Sequence, residues 1–103
     1  MINIFILEDE ILQQSRIDNA IRELIDKKAL KCRIPEIFSN PKQMLEAVTE
    51  MGSHQLFFLD IEIKGEGQKG LDIAKEIRSR DPNATIVFVT THTEFMQIGR
   101  AHV

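Results

Sequence analysis

Gln55-Leu56-Phe57-Phe58-Leu59-Asp60 decides how this chain folds. Its interior is apolar at successive positions instead of alternate ones, so a strand built from it is covered on both faces. It is too short for a helix, and it ends on a carboxylate. Two further runs have the same character. Ile2-Asn3-Ile4-Phe5-Ile6-Leu7 stops at Glu8-Asp9-Glu10, and Thr85-Ile86-Val87-Phe88-Val89-Thr90 stops at Thr91. A fourth, Cys32-Arg33-Ile34-Pro35-Glu36-Ile37-Phe38, carries a proline that removes one ladder donor, so it is expected at a sheet edge.

Between these runs the period lengthens to that of a helix. Ile17, Ile21, Leu24 and Ile25 make one stripe over Glu10 to about Lys28. Asn40 and Pro41 read as the cap and first turn of a second helix, with Met44, Leu45, Val48 and Met51 on its apolar face and Gly52 as its stop. A Gly-rich loop from Lys64 to Gly70 leads to a third helix marked by Leu71, Ala74 and Ile77, ending near Arg80-Asp81-Pro82. Strand and helix alternate throughout. That order implies an α/β fold, a parallel sheet with helices on both faces.

Composition narrows the function. The 103 residues suit one domain, and the net charge of −3 with no basic run argues against nucleic-acid binding by this segment alone. No apolar run reaches a bilayer span, and the N-terminus lacks the features of a signal peptide, so no membrane role and a cytoplasmic location are expected. Cys32, the single cysteine, reads as a small buried or half-buried apolar residue. His54, His92 and His102 have no ligand spacing.

The strand ends carry the chemistry. In an open α/β sheet, ligands bind beyond the carboxyl ends of the strands. The first strand ends in Glu8-Asp9, the third in Asp60 and the fourth in Thr90-Thr91. If the first and third are neighbours, three carboxylates converge. Two such charges ~4 Å apart repel by ~4 kcal/mol at an effective dielectric of ~20. A proton, a lysine or a cation must offset that, and hard oxygen donors with room for water suit Mg²⁺. A carboxylate beside Mg²⁺ can attack a phosphoryl group, and Thr90 can bond one of its oxygens. Alone, Asp9 reads as a helix cap and Glu10 as a dipole partner. Asp60, directly after an apolar run, is less easily read as a turn residue.

In these residues the chain resembles the receiver domain of two-component response regulators, from Ile2 to about Phe95. Glu8 and Asp9 match the family's acidic pair, Asp60 its phospho-accepting aspartate and Thr90 its switch residue. Ile6-Leu7-Glu8-Asp9-Glu10, Phe58-Leu59-Asp60-Ile61-Glu62 and Phe88-Val89-Thr90-Thr91-His92-Thr93-Glu94 are similar to the peptide-pheromone branch. Its accessory-gene-regulator, competence and bacteriocin regulators carry a LytTR-type DNA-binding domain. The resemblance implies a flavodoxin-like (CheY-like) doubly wound sheet of order 2-1-3-4. It implies phosphoryl transfer from a sensor histidine kinase to Asp60, with Mg²⁺ held by Asp9, Asp60 and the Glu62 backbone carbonyl, and by Glu8 through water. It further implies a homodimer of the phosphorylated full-length protein, DNA bound only through a further C-terminal domain, and a signalling protein in place of an enzyme.

The chain departs from the family pattern at its end. The fifth strand, its lysine and the fifth helix are missing, and Lys64 and Lys69 fall in the wrong loop for that lysine. Residues 1–97 are therefore expected to form an incomplete receiver, and residues 98–103 read as a non-native tail. The last strand is then an exposed apolar edge, an aggregation hazard. Three rivals remain. Gly65-x-Gly67-x-x-Gly70 satisfies a dinucleotide fingerprint but follows the third strand and has no acid at the end of the next one. Asp60-Ile61-Glu62 is similar to the D-x-D of haloacid-dehalogenase-type phosphatases, which place it on the first strand. A non-phosphorylated interaction module is the third.

Overall fold

The computed structural model describes residues 1–60 and 69–89. They form β1 (Asn3–Leu7), α1 (Ile11–Lys28), β2 (Glu36–Phe38), α2 (Pro41–Ala47), β3 (Gln55–Asp60), α3 (Lys69–Arg80) and β4 (Thr85–Val89). All pairings are parallel and the strand order is β2-β1-β3-β4, as the alternation and the resemblance imply.

β1 is buried along its whole length, and its alternating side chains feed two cores. Phe5 and Leu7 point to one side, where they meet Met44 of α2, Phe57 and Leu59 of β3, and Ala74 and Ile77 of α3. The Phe5 and Phe57 rings stack there, with centroids 5.0 Å apart. Ile4 and Ile6 point to the other side and pack under Ile17 and Ile21 of α1, with Ile25 and half-buried Cys32 at the margin. Cys32 thus behaves as a small apolar residue.

Four expectations are corrected. Leu24 lies outside the α1 stripe, 51% exposed, because it sits roughly 60° round the helix from the central Ile21. β2 is shorter than the apolar run. Cys32 makes only an isolated bridge with Ile2, and the continuous ladder begins after Pro35, which has no N–H to give. α2 stops at Ala47, not at Gly52, and Met51 is exposed. β-branched Val48 takes up an extended conformation at φ −79°, and Gly52, at φ +132°, is instead the turn into β3. Lys69 and Gly70 belong to the first turn of α3, not to a loop.

Asn40 caps α2 as expected, its Oδ1 accepting the Gln43 N–H at 3.2 Å. At the amino end of the sheet Asp81 ties two turns together, accepting from Gly52 N–H at 2.7 Å and from Asn83 N–H at 3.1 Å. Arg78 closes the same turn by donating to the carbonyls of Pro82 at 2.8 Å and Ala84 at 2.6 Å. Among the described residues no helix is long and apolar enough to cross a membrane.

Candidate metal centre

The site follows from register. Leu7 pairs with Leu59 in the β1–β3 ladder, so Glu8 and Asp60, each the next residue along, stand side by side at the carboxyl end of the sheet, where Asp60 still pairs with Val89 of β4. Asp9 follows on the turn into α1. One carboxylate oxygen from each of Glu8, Asp9 and Asp60 lies within 4.8 Å of the others. Glu8 and Asp60 are 1% and 2% exposed, and Asp9 is half-buried. The crowding anticipated from the sequence is therefore real, and it occurs out of water, where it is least screened.

Glu8 is held at three points. Its N–H donates to the Phe38 carbonyl of β2 at 2.9 Å. Its Oε2 accepts the Glu10 N–H at 3.0 Å. Its carbonyl accepts from Gln14 Nε2 at 2.6 Å. Its Oε1 is buried with no hydrogen-bond partner among the described residues. Burial pushes the Glu8 carboxyl up to about 7, the Glu10 N–H pulls it partly back, and the charge of Asp60, a hydrogen bond between the Glu8 and Asp9 carboxyl groups and the charge of Asp9 raise it further. Without a cation, Glu8 meets the crowding by keeping a proton near neutral pH.

These features fit a hard divalent cation. The donors are all oxygens, three acids share one rim, and the buried Glu8 Oε1 accepts no N–H bond among the described residues. The cap position of α1 is taken by Glu10, whose side chain makes no capping bond.

The profile of the response regulator receiver domain matches residues 4–102. The chain belongs to that family. This receiver is 33% identical over 91 residues to an accessory gene regulator protein A of Staphylococcus aureus, strain N315, and 31% identical over 93 residues to that of Staphylococcus epidermidis, strain ATCC 12228. Each match covers 88% of this chain and 38% of the relative, so the chain spans well under half the length of the curated relatives it matches. The family is one of signalling proteins, not of phosphatases or dinucleotide enzymes. In this receiver the acid pair and Asp60 stand together as the sequence implied. Glu62, Lys64, Thr90, His92, His102 and the 98–103 segment lie outside the described residues.

Sequence reasoning passed over Gln14. No sequence signal singled it out: the capping-box position three residues after Glu10 is Gln13, and Gln14 donates to a backbone carbonyl.

Proposed function

We propose that this chain is the phospho-acceptor unit of a response regulator and that Asp60 is the acceptor. An Asp60 oxygen attacks the phosphorus of a phosphohistidine on a sensor kinase, the P–N bond breaks, and the imidazole leaves with the electron pair and takes up a proton. The observation that carries this reading is the meeting of Glu8, Asp9 and Asp60 at the carboxyl end of adjacent parallel strands.

Asp9 and Asp60 would hold Mg²⁺ directly, Glu8 through water, with the backbone carbonyl of Glu62 as a further ligand. The cation supplies neutralisation of charge on the transferring phosphoryl oxygens. Asp60 presents its carboxylate from the end of β3, and Glu8 would hold the cation as a carboxylate. Thr90, the residue after Val89 in the chain, bonds a phosphoryl oxygen and reports phosphorylation to the neighbouring surface. The relatives' name supports a place in accessory gene regulation, and the resemblance of the strand-end motifs to the peptide-pheromone branch supports peptide sensing upstream. Dimerisation and DNA binding through a C-terminal effector domain belong to the same proposal, as does a cytoplasmic setting.

The test is labelling by acetyl phosphate or phosphoramidate with Mg²⁺. The expected result is stoichiometric, acid-stable and base-labile phosphate on the wild type and none on Asp60→Asn. Rapid catalytic turnover of phosphate monoesters would point to a phosphatase instead. If Asp60→Asn changed neither Mg²⁺ affinity nor kinase binding, the chain would be an interaction module.

A further inference from the structure

We infer that Gln14 is the positioning residue of the acidic site: its side-chain amide clamps the Glu8 carbonyl and thereby fixes where the Glu8 carboxylate points. The inference rests on the cation reading above and adds to it a residue outside the acid cluster.

The argument begins with the backbone of Glu8. The β1–β3 ladder ends at the Leu7–Leu59 pair, so the carbonyl beyond it has no strand partner there. Gln14 Nε2 supplies the partner at 2.6 Å. The Glu8 N–H is already tied to the Phe38 carbonyl at 2.9 Å, so the residue is fixed on both backbone sides. Its one remaining freedom, the side chain, is restrained by the Glu10 N–H on Oε2 at 3.0 Å. What is left over is Oε1, buried beside the Asp9 carboxyl and accepting no N–H bond among the described residues.

Gln14 is well placed for this task. Its own N–H makes the opening helical bond of α1, to the Glu10 carbonyl at 2.9 Å. Its side chain is half-buried. Glu10 stands at the cap without a capping side-chain bond, and the Gln14 amide is a side-chain tie between this turn and its helix. Released from that tie, the Glu8–Glu10 turn can rotate, and with it the carboxylate. Groups that orient a metal ligand from behind typically change affinity by ~10–100-fold when lost.

The experiment measures Mn²⁺ and Mg²⁺ affinity by calorimetry at pH 8, together with the metal-free melting temperature, on the full chain. Gln14→Met keeps length and apolar stem but cannot donate, Gln14→Ala is a second deletion, and Gln14→Lys restores a donor. Expected is an about tenfold loss of affinity in Gln14→Met and Gln14→Ala, with metal-free melting little changed and affinity largely recovered in Gln14→Lys. Affinity within about twofold of wild type in both deletions would overturn the role of Gln14 while leaving the cation site standing. So would a loss that tracks melting temperature and is not recovered by Gln14→Lys. Wild-type binding that ignores Asp60→Asn would instead overturn the site itself, and this inference with it.

Discussion

Glu8 and Asp60 emerge side by side from neighbouring parallel strands, each one residue past the Leu7–Leu59 pair, and both are shut away from water. Glu8 therefore keeps its proton up to about pH 7, against an ordinary value of 4.5. Between those limits the folded chain holds a proton that the unfolded chain has released. Raising the pH through that window thus draws stability down, by on the order of 3 kcal/mol when complete. Glu50, held low chiefly by its hydrogen bond to His54, acts in the opposite sense, but only below 4.5. The expected outcome is a melting temperature, in EDTA, that falls from pH 5 to pH 8 and is flattened in Glu8→Gln. A wild-type profile that is flat or rising would contradict it.

Asp60→Asn removes one of the charges that raise Glu8. It should stabilise the metal-free chain at pH 8 by ~1 kcal/mol, which for a domain of this size is ~4–8 °C of melting temperature. The same substitution should cancel most of the stabilisation given by saturating Mg²⁺. A variant that both dampens the gain from the cation and raises the baseline is the signature of a carboxylate kept for binding at a cost in stability. Differential scanning fluorimetry with and without Mg²⁺ checks both signs.

The strands and the acid cluster were legible because they rest on short-range patterns. Gln55–Asp60 is bounded in the fold as it is in the sequence, since an all-apolar run ending on an acid has little freedom in a parallel sheet. The meeting of Glu8 with Asp60 needed only topology and equal strand registry. What failed depended on partners distant in sequence. Nothing near Gly52 announces that Asp81, just past the end of α3, takes its N–H and holds it in the turn into β3. Likewise the burial of Leu24 depended on how α1 is rolled over β1, which periodicity fixes only to within the width of the stripe. Gln14 escaped notice because a glutamine has no charge pattern to betray it, and its role is visible only as a bond to a backbone carbonyl.

The Gly52–Asp81 link gives a stability prediction far from the acids. Gly52 has φ +132°, and a Cβ there would come within 2.9 Å of the His54 ring. Gly52→Ala should cost ~1–3 kcal/mol from backbone strain together with the clash, and His54→Ala should recover the part due to the clash but not the part due to strain. Asp81→Ala leaves the Gly52 and Asn83 N–H groups without their acceptor and should cost ~1–3 kcal/mol. Neither change touches the cation site, so urea midpoints should move while the affinity for Mg²⁺ does not. A loss of metal affinity in Asp81→Ala equal to that in Asp60→Asn would show that the two ends of the sheet are coupled.

Met44 and Phe57 test whether the site's rigidity comes from the core beneath it. Met44 is wholly buried, and Phe57, 2% exposed, stacks on Phe5 two residues below Leu7. Phe57→Ala should cost ~3–5 kcal/mol and Met44→Ala ~2–5 kcal/mol, by lost burial and the cavity left behind. Phe57→Leu retains most of the volume and should cost less, but it removes the ring stacking that holds β1 against β3. If that stacking sets the spacing of the strand ends, Phe57→Leu weakens Mg²⁺ binding more than Met44→Leu does, at equal loss of stability. Equal affinities in the two leucine variants would mean that the ladder hydrogen bonds alone hold Glu8 and Asp60 together.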